Sequence, residues 1–138
     1  MRARLAAVVG TVVLGSGMLV NAPAAHAADP VSDFDVTVGN TYTRGTITWH
    51  NRSVTVAGEQ KSVSATNCRG TTAFTLDANN NQLDLAYTSP TCGASEKFIP
   101  FTVVADVPGG AAVVRVCLDD GSLPATYFAC KRYGRPSS

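Results

Sequence analysis

Charge is scarce in this chain, and what there is nearly cancels. Only 15% of the 138 residues are charged, with eleven Lys and Arg against ten Asp and Glu, so there is no bulk electrostatic reason to hold nucleic acid. Histidine is rarer still: of the two, His26 precedes the expected start of the mature chain and only His50 remains. His50 flanks a polar turn and has no partner paired with it in the sequence, which leaves general-base catalysis and metal ligation without their material. After residue 27 no apolar residues recur at three and four over a helix-long window, so an α-helical domain is excluded. Internal repeats, low-complexity runs and a second long apolar stretch are also missing, and with the last goes any membrane-spanning segment beyond the N-terminus.

The N-terminus itself is informative. Arg2 and Arg4 precede an apolar run from Leu5 to Val20, and Ala25-His26-Ala27 fits an A-x-A cleavage site, the pattern of a secretory signal peptide over residues 1–27. The mature chain is expected to begin at Ala28, or at Ala25 if Ala22-Pro23-Ala24 is used. No cysteine stands at the cleavage point, so a lipid anchor is not expected and the product is read as free, extracellular and off the membrane. Loss of Arg2 and Arg4 moves the formal charge from +1 to −1. Residues 28–138 make one domain of about 110 residues, with a basic, partly flexible tail over 131–138.

Four cysteines in a secreted chain of this size read as two disulfides. Oxidised, they supply neither a thiolate nucleophile nor a zinc site. Of the three possible pairings, symmetry about the intervening turns favours Cys68–Cys92 with Cys117–Cys130. In the loop-entropy picture each contributes about 3 to 3.5 kcal/mol. The first pair encloses a hairpin: Thr71–Asp77 alternates through Ala73, Phe74 and Leu76, Leu83–Tyr87 alternates through Leu83, Leu85 and Tyr87, and Asn79-Asn80-Asn81 between them is turn chemistry. With equal spacing from Asn80, Leu76 would face Asp84, which puts one apolar set out of register with the bridge. A bulge is therefore predicted between the two, at Ser89-Pro90 or Arg69-Gly70.

Further strands follow the same period. Phe34, Val36 and Val38 form one, ended by Gly39-Asn40; Ile47 and Trp49 mark a second, and Val54 and Val56 a third across the turn at His50–Ser53. The polar segment 58–66 is either an extension of the third or a loop. Cys92–Lys97 reads as loop, and Phe101, Val103, Ala105 and Val107 as a strand. The corner Asp106-Val107-Pro108-Gly109-Gly110, leading into Ala112–Leu118, resembles the one joining the fifth and sixth strands of immunoglobulin-like and fibronectin type III sandwiches. Those families place a tyrosine soon after it, where Ala112 and Val113 stand here. About seven or eight short strands with turns between them give the fold class: all-β, an antiparallel sandwich, immunoglobulin-like or jelly roll, with two disulfides.

Candidate chemistry is thin. Asp77, Asn79 and Asn81 match the opening of a calcium loop, but Gln82 replaces the required glycine and Thr88 the bidentate glutamate, so a plain turn is the reading and no metal or cofactor is expected. Asn51-Arg52-Ser53 is a formal glycosylation sequon, expected to be unused. If Cys117 faces Cys130, then Arg115 faces Arg132 on the same, outer side, with Val114, Val116, Leu118, Tyr127 and Ala129 on the other. Like charges set opposite each other call for an anion or carboxylate, so Arg115 and Arg132, with Lys131 and Arg135 near, are a candidate anionic binding patch. The loop Asp119–Ala125 presents Leu123 and Pro124 on a clamped scaffold, as a hydrolase inhibitor would. Tyr42, Tyr127, Phe128 and Tyr133 are the aromatics available for a binding face.

Taken together, signal peptide, about a hundred mature residues, two disulfides and a sandwich resemble the small secreted proteins of actinobacteria. That class includes hydrolase inhibitors, surface proteins and the chromophore-carrying apoproteins of enediyne antibiotics. The expectation is a non-enzymatic secreted module binding a carbohydrate, cell-surface or protein ligand, with a proteinaceous hydrolase inhibitor or a small-molecule carrier as alternatives. An enzyme would need His50 beside a carboxylate in a pocket.

Overall fold

The computed structural model describes residues 28–137; the signal peptide expected over 1–27 lies outside the described residues. Eight strands follow one another without a helix among the described residues: β1 (Val31–Val38), β2 (Thr41–Trp49), β3 (Ser53–Lys61), β4 (Gly70–Leu76), β5 (Gln82–Tyr87), β6 (Ser95–Val104), β7 (Val113–Asp119) and β8 (Tyr127–Gly134). They pair antiparallel into two four-stranded sheets, β1-β2-β3-β6 and β5-β4-β7-β8. The chain changes sheet between β3 and β4, β5 and β6, and β6 and β7, the last through the Asp106–Gly110 corner, closed by a Gly110 N–H bond to the Val107 carbonyl (2.8 Å). The sandwich and both disulfides are as the sequence predicts.

Alternation explains the core. Phe34, Val36, Ile47, Trp49, Val54, Val56 and Val103 of the first sheet meet Ala73, Val114, Val116 and Leu118 of the second, all essentially without solvent contact. The Trp49 indole N–H donates to the Ser32 hydroxyl at 2.9 Å, so the largest core side chain is buried with its polar atom satisfied.

Several boundaries differ from the sequence reading, each for a tertiary reason. β6 starts at Ser95, inside the segment expected as loop, because Ser95–Phe98 pair with Gly58–Lys61 at the end of β3. That pairing also settles the polar segment from Gly58 as strand as far as Lys61. A register shift in β6 falls around Ile99-Pro100, which lets a proline without an N–H sit in an edge strand. Lys131–Gly134, the start of the expected tail, belong to β8, and Arg135 docks beyond it, donating to the Ala111 and His50 carbonyls at 2.9 and 2.7 Å and lying over the Trp49 ring.

In β4 the pattern is inverted relative to an ordinary sandwich strand. Thr71, Ala73 and Thr75 face inward, while Phe74 and Leu76 face outward, Phe74 opposite Leu85 on one side and Arg115 on the other. The predicted bulge is present at Ser89-Pro90: Thr71 still meets Thr88, but two residues further along, Arg69 pairs with Thr91, one residue out of step. A second shift near Leu83 turns that side chain back to the core while leaving Leu85 and Tyr87 outside. The outer face of this sheet therefore carries apolar side chains that are not core.

Candidate functional site

Of those outward side chains, Leu85 and Tyr87 line a cleft of about 550 Å³. Thr72 of β4 and Asp119 at the end of β7 make its floor, Leu85 and Tyr87 of β5 with Thr88-Ser89-Pro90 make one wall, and Gly121–Ala125 with Tyr127 make the other. Both disulfides brace it. Cys117–Cys130 joins β7 to β8 beside Thr72, and Cys68–Cys92 holds the strand ends that carry the Ser89-Pro90 wall.

The 119–125 loop is held by its own carboxylates. Asp120 Oδ1 accepts from the Ser122 N–H (3.0 Å), the Ser122 hydroxyl (2.7 Å) and the Thr126 N–H (3.0 Å), which brings its carboxyl down to about 2. Gly121, at φ +77°, comes so close to Pro90 that a Cβ there would lie 2.4 Å from the Pro90 Cβ. The loop thus folds down onto the opposite wall. Leu123 at its tip is 69% exposed, on the mouth of the cleft.

Asp119 is the chemical centre. It is 3% exposed, its Oδ2 accepting from the Thr72 hydroxyl at 2.6 Å and its Oδ1 from the Gly121 N–H at 2.8 Å. Burial pushes its carboxyl above the ordinary value of 3.8, an effect that those two hydrogen bonds oppose and the neighbouring Asp120 charge adds to. The ion pairs among the described residues are Arg44–Asp35, His50–Asp29 and Arg52–Asp106, and none involves Asp119.

The wall opposite the loop is secured from the other sheet. Gln60 of β3 is 1% exposed; its Nε2 donates to the Ser89 carbonyl (2.8 Å) and Thr91 Oγ1 (3.0 Å), and its Oε1 accepts from Thr71 Oγ1 (2.8 Å) and Thr88 Oγ1 (2.9 Å). All four side-chain hydrogen-bonding positions of the amide are used. One buried side chain therefore fixes the bulge that shapes the cleft.

Of the residues singled out in the sequence, Leu123 and Tyr127 come together in this cleft. Tyr127 packs edge-on against Phe74 at 5.7 Å; the register shift after Leu118 places it opposite Asp119, on the outer face rather than inward with Val114, Val116 and Leu118 as expected. Phe128, at that shift, is 42% exposed and stacked by Arg69 outside the cleft. Arg115 and Arg132 do stand opposite each other on the disulfide side, but the wider basic patch does not form. Arg115 lies over the Phe74 ring at 4.2 Å, Arg132 bonds Asn80, Lys131 faces the other way beside Asp33, Asp35 and Glu59, and Arg135 is docked on Trp49. Tyr42 is occupied by Arg44 and Glu59, and Tyr133 by Phe34 and the Asp35 backbone. Asp77 spends its carboxylate on the turn, accepting from the Asn79 and Asn81 N–H groups and the Asn81 side chain.

His50 does have a carboxylate neighbour: Nδ1 lies 2.5 Å from Asp29 Oδ2 and Nε2 2.8 Å from Thr55 Oγ1. The trio is triad-like in order, yet it sits half-exposed on the outer face of the first sheet, outside the cleft. A wider, more open depression of about 680 Å³ on that sheet is lined by Asp35, Arg44, Glu59 and Lys97, where Asp35 and Arg44 pair with each other and Glu59 with Tyr42. Among the described residues Asp119 is the one buried charged residue, and it has no charged partner. No protein-family model matches the chain, and no curated protein or solved structure is significantly similar to it.

Proposed function

We propose that the chain is a secreted, non-enzymatic binding protein whose ligand is a compact, largely apolar small molecule held in the cleft between β5 and the 119–125 loop. The observation that carries this is the cleft itself: Leu85, Tyr87, Pro90, Leu123, Pro124 and Tyr127 around a floor of one hydroxyl and one carboxyl. A cavity of about 550 Å³ lined this way is in the ordinary range for small-molecule sites. Extracellular location rests on the signal-like N-terminus, and the two disulfides are consistent with it. Carbohydrate is a poorer fit: two rings for stacking are present, but the Thr72, Thr88 and Ser122 hydroxyls of the lining already donate within the protein, to Asp119, Gln60 and Asp120. The absence of catalysis is proposed because Asp119 is the one acid lining the cleft, no His, Lys or Cys lines it, and the Thr72 hydroxyl that donates to Asp119 belongs to a residue only 2% exposed.

The test is binding of a neutral apolar dye, N-phenyl-1-naphthylamine, to the mature oxidised protein. Fluorescence enhancement saturating near one dye per chain, and lost in Leu123→Asp and Tyr87→Ser variants that still fold, is the expected result. No enhancement, or enhancement indifferent to both substitutions, refutes the reading. A second reading, hydrolase inhibition, is favoured by one feature, the exposure of Leu123 on a carboxylate-capped loop; there Leu123→Ala abolishes inhibition of a target hydrolase and leaves stability unchanged.

A further inference from the structure

A carboxylate in this position needs a counter-charge that the protein does not provide. Asp119 is 3% exposed and sits at the bottom of an apolar-walled cleft, with no Lys, Arg or His paired to it among the described residues. Its two hydrogen bonds leave about half of a carboxylate's lone-pair directions unused. Removing an ionised carboxylate from water without a partner is costly, and leaving the remaining acceptor positions unfilled adds to that cost. The geometry is nevertheless built: Thr72 and the Gly121 N–H both aim at the carboxylate, and the loop that supplies Gly121 is clamped by Asp120. The tyrosine rings of Tyr87 and Tyr127 also line the cleft, and such rings attract cations through their faces.

We infer that the ligand carries an ammonium group on a compact apolar or aromatic body, the ammonium paired with Asp119 at the floor and the body held between Tyr87, Tyr127, Leu85 and Leu123. This deepens, and rests on, the reading of the cleft as a small-molecule site. The ammonium supplies the missing charge and donates to the free acceptor positions of the carboxylate, so the two deficits are met by one group. An anion of the same shape is repelled by Asp119, and a neutral alcohol of the same shape brings the apolar contacts and one hydrogen bond to the carboxylate but no counter-charge.

The experiment titrates the ¹⁵N-labelled mature protein at pH 7 with three probes of matched shape: 2-phenylethylamine, 2-phenylethanol and 3-phenylpropionate. The expected result is shifts at Leu85, Tyr87, Ser89, Leu123 and Tyr127, with the amine at least about tenfold tighter than the alcohol and the carboxylate weakest. In Asp119→Asn the amine falls to the affinity of the alcohol. Equal affinities of amine and alcohol in the unaltered protein overturn this inference while leaving the small-molecule reading intact; if no probe moves a cleft residue, both fall. Should Asp119→Asn fail to fold, the amine-to-alcohol ratio in the unaltered protein decides the question by itself.

Discussion

Replacing Gln60 by methionine removes one of the polar ties between the two sheets while nearly keeping the side-chain volume. The cost follows from what each partner can do afterwards. Thr71 Oγ1 still has Thr43 Oγ1 at 2.6 Å, so its loss is small. Thr88 and the Ser89 carbonyl lie near the rim and can be rewetted, so each loses a net bond of about 1 kcal/mol. The Thr91 hydroxyl, in a residue only 3% exposed, is left without its partner at about 1–2 kcal/mol. The total is about 3 to 4 kcal/mol, a large part of the 5–15 kcal/mol or so by which a domain is stable. The only tryptophan, Trp49, is fully buried and reports unfolding directly by fluorescence. With a urea slope of about 1.5 kcal/mol per M the midpoint falls by roughly 2 M. Amide shifts in the folded variant concentrate at Ser89–Thr91, and dye binding weakens with them. A loss below about 1 kcal/mol, with the shifts of Ser89–Thr91 unchanged, refutes the assignment of Gln60 as the support of the cleft wall.

Removing Cys68–Cys92 by double alanine substitution costs about 3.5 kcal/mol and removing Cys117–Cys130 about 3 kcal/mol, from sequence separations of 24 and 13 residues; paired denaturation curves check the order. Gly45→Ala destabilises by about 3 kcal/mol, since its Cβ would lie 1.9 Å from the Ala57 carbonyl oxygen where β2 and β3 approach each other, and only backbone movement relieves it. Gly121→Ala meets both the positive φ and the Pro90 ring, so it lifts the loop and weakens dye binding more than it lowers the unfolding midpoint of the whole domain. In acid the two loop aspartates act oppositely. Asp120, with a folded value of about 2 against 3.8, contributes stability present above 3.8 and lost as pH falls toward 2, so the deficit of Asp120→Asn closes over that window. Asp119 is raised, so its ionisation costs stability as pH rises from 3.8 through its folded value, and Asp119→Asn compares more favourably with the unaltered chain at pH 7 than at pH 3.

Short-range chemistry made much of this protein legible in its residue order. The period of two in Phe34–Val38, Ile47–Val56 and Val113–Leu118 dictates strands, Asn79-Asn80-Asn81 dictates the turn that closes β4 on β5, and equal spacing about that turn brings Cys68 to Cys92. Even the need for a bulge follows from a mismatch of registers visible in the sequence, although the choice of Ser89-Pro90 over Arg69-Gly70 is made only by the pairing of Arg69 with Thr91. The cleft was not legible, because it depends on which face of β4 meets the other sheet. Phe74, Leu76, Leu85 and Tyr87 have the alternation of core residues, and only the pairing of β4 with β7, 41 residues away in the chain by the Phe74–Arg115 register, turns them outward. Gln60 gave no signal either: a polar residue in a polar segment acquires its role when β3 is laid against the ends of β4 and β5. Asp119 reads as half of a turn until the loop folds over it and the sheet closes beneath. A local pattern fixes which residues alternate, whereas burial, and with it the chemistry of a carboxylate, is decided by what the rest of the chain places on top.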